Sequence, residues 1–179
     1  MNEVIELENT IRSRHSVRAF RPEPVAKDLI ERILATACYA PSATNTQPWQ
    51  VYVVQGKVRD EIIKRACASY DEEIANPGQS KYSFDRNYYP EKWFSPYQER
   101  RRQIGWQLYG LLGIKREDKA AMIAQQRRNF MFFGAPVGLF FTIHRDLGIG
   151  SVIDIAMMMD NVMSVSYTHL RAHETDSYL

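Results

Sequence analysis

The sequence predicts an α+β fold, and three observations carry that prediction. Apolar residues recur at helical spacing along most of the chain. Only two short stretches, WQVYVV and APVGLFFTIH, read as strands. Those two are separated by helical segments instead of following one another.

Taken in order, Val4, Leu7 and Ile11 mark a first amphipathic helix over 3–13. It runs into Arg12, Arg14 and Arg18, cations that suit a helix C-terminus, and Pro22 and Pro24 stop any continuation. Leu29, Ile30, Ile33, Leu34 and Ala37 predict a second helix, opened after Pro24 and closed before Pro41. WQVYVV then reads as a short, β-branched, buried strand. Ile62, Ile63 and Ala66 carry a third helix over 57–70. Residues 71–96 hold Asn76-Pro77-Gly78, Pro90 and Pro96 and read as an extended loop, long enough to imply a function or a concealed short helix. Helices are expected over 97–112 and 115–133, a second buried strand at APVGLFFTIH, and a last helix over 152–165. There is no internal repeat and no low-complexity segment.

With 179 residues, 45% hydrophobic and 25% charged, the chain suits one soluble globular domain with a sizeable core. Its 23 basic and 21 acidic side chains leave +2, too small a surplus to draw a nucleic acid or a membrane through bulk charge. That balance weighs against an RNA- or DNA-binding reading of Arg100–Arg102 and Arg127-Arg128 with their neighbouring rings. Cys38 and Cys67 have no CxxC spacing, which points to core packing in a reducing cytoplasm, not to a disulfide or a metal site. The N-terminus is acidic and lacks the pattern of a signal peptide. No stretch approaches the ~18 apolar residues of a membrane span. After Met163 the apolar period fades into SVSYTHLRAHETDSYL. This string resembles translated read-through at a broken reading frame, so 164–179 are expected to be a non-native tail; a mobile C-terminal tail is the other reading. His169 and His173 have a spacing that suits a metal on a helix, but no acidic third ligand accompanies them and no metal is expected.

Two polar clusters carry the candidate chemistry. The first is Arg12-Ser13-Arg14-His15-Ser16-Val17-Arg18, where guanidinium groups, hydroxyls and helix-end backbone would seat an anionic, hydrogen-bonding ligand. An arginine run by itself is more often a solvated surface patch. The second is Pro41-Ser42-Ala43-Thr44-Asn45-Thr46-Gln47-Pro48-Trp49, a loop whose side chains can cap their own backbone or meet a ligand.

Together, the arginine-serine-x-arginine segment and Pro-Ser-x-x-Asn-x-Gln-Pro-Trp resemble the nitroreductase family of FMN-dependent oxidoreductases, in the nitrobenzoate-reductase-like branch. The likeness extends over residues 5–163 and includes FGAPVGLFF and DIAMMMDNVM. It implies a central, mostly antiparallel sheet flanked by helices in an intertwined homodimer, with FMN bound between subunits. It implies that Arg14, Ser16 and Arg18 hold the ribityl chain and phosphate from one subunit, with His15 contributing mainly backbone. Pro41, Ser42 and Asn45 would face the isoalloxazine from the other, with Gln47 nearby. It implies ping-pong transfer of hydride from NAD(P)H to a nitroaromatic or quinone acceptor. Tyr88, Trp93, Phe94 and Tyr97 would form a lid that stacks a small aromatic substrate, with Tyr89 beside them and Arg100–Arg102 near an acidic substituent. Rings in such a loop can equally pack against a neighbouring subunit. Family members continue into a further strand that has no counterpart here, so the domain is expected to be incomplete. A non-catalytic fragment, or a flavin dehydrogenase or dehalogenase on the same fold, are the alternatives. His144 and Asp154 are acid–base candidates by residue type, but flavin chemistry needs no side-chain acid, and structural roles suit both better.

Overall fold

The computed structural model describes residues 2–79, 81–82 and 88–170. Its elements are α1 (Asn2–Ser13), α2 (Lys27–Ala37), β1 (Gln50–Gln55), α3 (Gly56–Ala75), α4 (Tyr97–Leu111), α5 (Lys119–Arg127), β2 (Val137–Thr142) and α6 (Ile149–Leu170). They fall into two compact units, Met1–Asp60 with Gly134–Tyr178, and Glu61–Phe133.

In the first unit β1 and β2 pair antiparallel, with Val51 opposite Phe141 and Val53 opposite Leu139. Side chains alternate across a strand, so Val51, Leu139 and Phe141 share one face. That face packs on a core of Ile33, Ala37 and Ala40 from α2 and its exit, and Met158 and Val162 from α6. Tyr52 and Phe140, also paired, point the other way and stay exposed. The two stretches read as buried strands are therefore half-covered: in β1 only Val54 is buried, in β2 only Gly138. Val54 and Gly138 pair with each other on the second face, beside Tyr52 and Phe140, so that face is covered at one end of the ladder and exposed at those two rings. Gly56 turns the chain from β1 straight into α3 with φ +54°, a left-handed conformation that costs glycine little.

The helices that the periodicity predicts are all present, with different ends. α3 runs to Ala75, so the expected long loop begins later; residues 80 and 83–87 of that loop lie outside those described. The segment expected as one helix over 115–133 breaks. Asp118 caps α5 by accepting the Ala121 N–H at 2.9 Å, but α5 ends at Arg127 and a tight turn follows through Gly134. Phe132 and Phe133 adopt φ of 50° and 51° there, and Gly134 follows with φ +86°. Arg59 fixes the chain just beyond, its Nη1 donating to the Ala135 carbonyl.

α6 begins at Ile149 and continues to Leu170, past the predicted end at 165. Residues 164–170, read from sequence as lacking core rhythm, extend that helix, and Tyr167 is buried there. Residues 171–179, His173 among them, lie outside the described part. Over Ile149–His169 the helix is long and apolar enough to cross a membrane by length and composition, which a count of uninterrupted apolar residues misses. Its buried side chains nevertheless pack on α2 as a core helix does.

In the Glu61–Phe133 unit Arg127 makes a two-pronged ion pair with Asp71, Nε to Oδ1 at 2.8 Å and Nη2 to Oδ2 at 3.0 Å. The hydrogen bond from Arg127 holds the Asp71 carboxyl below its usual range. Tyr70 donates to the Ile123 carbonyl and Gln126, and burial pushes its hydroxyl pKa up.

Candidate active site

At the exit of α1 the Arg14 N–H donates to the Thr10 carbonyl at 3.1 Å, the last bond of the helix. The chain then extends. His15 Nδ1 donates to the Ser13 carbonyl at 3.0 Å, and Arg18 Nη1 donates to the Ser16 carbonyl at 3.1 Å. Arg14 is half-buried, and with His15 and Ser16 it gives most of the polar lining of a cavity of about 460 Å³. The remainder is mostly apolar: Ile30, Ile33 and Leu34 from α2, Val137 and Leu139 from β2, Val162, Met163 and Tyr167 from α6. The His15 ring meets the Tyr167 ring edge-on, centroids 5.8 Å apart. An apolar concavity with a few convergent polar groups is the usual form of a small-molecule site. A guanidinium withdrawn from water binds an anion more strongly than an exposed one. Arg18 does not line this cavity.

The second cluster is a turn of unusual backbone. Thr44, Asn45 and Gln47 have φ of 51°, 56° and 46°, a left-handed conformation costing roughly 1–2 kcal/mol for residues with a Cβ, less for Asn. Internal bonds offset part of this. Ser42 Oγ accepts the Gln47 N–H at 2.8 Å and meets Thr46 Oγ1 at 3.2 Å, while Thr46 Oγ1 donates to the Ala43 carbonyl. Pro41, Asn45 and Gln47 remain exposed and Ser42 half-buried. The Asn45 amide and the Gln47 side chain thus stand at the surface on a backbone fixed by Ser42. Pro41, Ser42, Asn45 and Gln47 do not line the cavity that Arg14, His15 and Ser16 share, so a single chain does not bring the two clusters around one space.

Asp154 takes a structural place. It is 4% exposed, and its Oδ2 accepts the Ala43 N–H at 3.1 Å. Since α6 starts at Ile149, Asp154 falls in its second turn and not, as expected, in its first, where the helix dipole acts most. Asn161, seven residues on, donates its Nδ2 to the Ala37 carbonyl at 3.4 Å. The sequence reading passes over Asn161; the available signal was two polar residues, 154 and 161, two turns apart on the buried face of an apolar helix. His144 lies beyond the end of β2, exposed, near Asp146.

The aromatic residues expected as a lid belong to the Glu61–Phe133 unit. They form two ring groups: Tyr88, Tyr89 and Trp93, with centroids 4.7 and 5.8 Å apart along the chain of contacts, and Phe94 with Tyr97 at 5.2 Å. Arg101 lies over the Trp93 ring at 5.1 Å and Arg100 over Tyr97 at 5.9 Å, so two members of the arginine triplet stack on rings. Among the described residues no three His, Cys, Asp or Glu side chains gather as metal ligands would.

The family model described as the nitroreductase family matches residues 11–169. The chain belongs to the nitroreductase family. It is 37% identical over 158 residues to the nitrobenzene nitroreductase of Ectopseudomonas oleovorans, covering 88% of this chain and 67% of that protein. It is 33% identical over 158 residues to the 4-nitrobenzoate reductase of Pseudomonas putida, covering 88% and 66%. The chain therefore spans about two thirds of the length of these curated relatives. Among solved structures, the FMN and NADPH-dependent nitroreductase NfnB of a sphigopyxis strain superposes with a TM-score of 0.82 at 37% identity, over 91% of this chain and 71% of that one. The FMN-dependent NfnB of Mycobacterium smegmatis, solved in complex with NADPH, gives 0.83 at 28%, over 93% and 72%. These likenesses establish the nitroreductase-like fold expected from the sequence.

Proposed function

We propose that this chain is an FMN-dependent oxidoreductase that uses NAD(P)H to reduce small nitroaromatic or quinone acceptors. The observation that carries the reading is the half-buried Arg14 at a mostly apolar cavity, within the residues that the family model matches. The donor set suits the cofactor: a guanidinium and the Ser16 hydroxyl for a phosphate and polyol, and apolar walls for a flat ring system. The chemistry bound FMN supplies is two-electron transfer, hydride in from NAD(P)H and then out to the acceptor in a ping-pong cycle.

The chain's residues do the rest. Arg14 and Ser16 hold the phosphate and ribityl end, His15 mainly through backbone, while Arg18, outside the cavity lining, adds its charge from beside the Ser16 carbonyl. Ser42, Asn45 and Gln47, set off by Pro41, hydrogen-bond the ring edge. Ile30, Leu139 and Val162 exclude water. Because one chain keeps the two clusters apart, the reading places them on opposite subunits of a homodimer. Leu7 and Ile11 of α1 and Ile153 and Met163 of α6, all exposed, provide apolar faces for that contact. Tyr88, Trp93, Phe94 and Tyr97 stack a flat substrate. Two free thiols, Cys38 and Cys67, accord with a reducing, cytoplasmic setting.

The test is direct. The purified chain is titrated with FMN while flavin fluorescence is followed. The loaded protein is then reduced anaerobically with NADPH or NADH and mixed with a nitroarene or a quinone. Saturable quenching, bleaching of the flavin band and its return with the acceptor support the reading. Failure to bind FMN at tens of micromolar overturns it.

A further inference from the structure

The turn at 42–47 carries three left-handed residues, and a backbone so disposed persists only when its surroundings hold it. Ser42 and Thr46 hold it from within. Among the described residues, the hydrogen bond that joins it to another element runs from the Ala43 N–H to Asp154 Oδ2, across 111 residues of sequence. Asp154 has little reason to be where it is except for that bond. It is 4% exposed on the side of α6 that also buries Met158 and Val162, where a carboxylate without a donor is costly. Asn161 makes the matching contact two turns on, to the Ala37 carbonyl at the end of α2. The pair brackets the break between α2 and the turn, with the fully buried Met158 and Ala37 lying between.

We infer that Asp154 is a positioning residue for cofactor binding, acting through the Ala43 amide to fix the turn that presents Ser42, Asn45 and Gln47. The inference rests on the flavin reading above. It also removes Asp154 from consideration as a proton donor: its carboxylate is buried and turned to a backbone N–H of its own chain, and it works without touching a reacting atom.

Two readouts on the full chain test it. In the flavin-free protein, hydrogen exchange reports the Ala43 amide directly. With FMN, fluorescence quenching reports affinity. Asp154→Ala is expected to speed Ala43 exchange and to weaken FMN binding about tenfold, the loss of one hydrogen bond to a charged group. Asp154→Asn keeps an acceptor oxygen and is expected to restore most of both. Ala43→Pro removes the same bond from its other end, after a Ser42 already extended at φ −144° and ψ 133°, and should reproduce the affinity loss if Asp154→Ala does not fold. Met158→Ala serves as the control for general destabilisation: it should lower the melting temperature and leave FMN affinity near wild type well below the melt. Wild-type exchange and affinity in Asp154→Ala overturn the inference, as does an affinity loss no larger than that of Met158→Ala. A wild-type chain that binds no FMN overturns the flavin reading and the cofactor role with it, while the Ala43 exchange rate still reports whether Asp154 anchors the turn.

Discussion

Arg14 and Arg18 look alike in sequence, four residues apart in one basic segment, yet they sit differently. Arg14 lines the cavity half-buried, whereas Arg18 turns one guanidinium nitrogen back to the Ser16 carbonyl. On the proposed reading Arg14→Ala should therefore weaken FMN binding by roughly tenfold or more, the loss of a charge-assisted contact in a partly dry site. Arg14→Lys should recover only part of it, because an ammonium cannot grip two phosphate oxygens with a planar fork. Fluorescence titration of the two variants checks this, and equal affinity for Ala and wild type would remove Arg14 from the site. Ser42 makes a second case at this scale: Ser42→Ala deletes the acceptor for the Gln47 N–H and should relax the turn, read as faster exchange at Gln47. The polar content of 42–47 is legible in the sequence because Pro41 and Pro48 bracket it. Its left-handed backbone is not, since Thr44 and Gln47 have no intrinsic preference for positive φ and adopt it under constraints that arrive from elsewhere. Asp154 and Asn161 show why: their partners are 111 and 124 residues away, and no local pattern encodes such pairings.

Among the elements, existence was legible and burial was not. α1 forms where Leu7 and Ile11 recur, yet both are exposed, and α4 buries none of its side chains. Periodicity reports which face of a helix is apolar, not whether this chain supplies the surface that covers it. The break after α5 is missed because no proline or glycine announces it before Gly134; two phenylalanines take a conformation that local preference disfavours. Where burial is real, its weight can be measured. Met158, fully buried between α6 and α2, should cost about 2–5 kcal/mol on truncation to Ala, seen as a lower urea midpoint. The Asp71–Arg127 pair tests the second unit by pH. The hydrogen bond from Arg127 holds the folded Asp71 carboxyl below the usual carboxylate range, so folding keeps the ionised form. Its contribution is present above the unfolded value and disappears as pH falls through the folded one. Asp71→Asn should flatten the acid limb of the stability profile below about pH 4, modestly, because both partners face water. An unchanged limb in urea titrations would show that the pair adds nothing.

At the scale of the whole molecule, the unpartnered surfaces have a common character. α6 presents Ile149, Ile153, Ala156 and Met163 on its exposed side, α1 presents Leu7 and Ile11, and β1 and β2 each have one strand neighbour within the described sheet. Apolar helix faces and unpaired strand edges are the surfaces that drive association, specific or otherwise. The proposed homodimer turns this into a quantitative expectation, since the same contact that covers α6 would bring the 41–47 turn of one subunit to the Arg14 cavity of the other. Ile153→Glu places a charge in the middle of that face without touching the cavity lining. Sedimentation velocity over a range of concentrations should find the wild type as a dimer and Ile153→Glu as a monomer with unchanged far-UV circular dichroism. FMN affinity should fall in step with dimer content, because a monomer offers the phosphate seat without the ring-edge donors. A monomeric Ile153→Glu that binds FMN as tightly as wild type would show that one chain suffices for the cofactor and that the two clusters serve different ends.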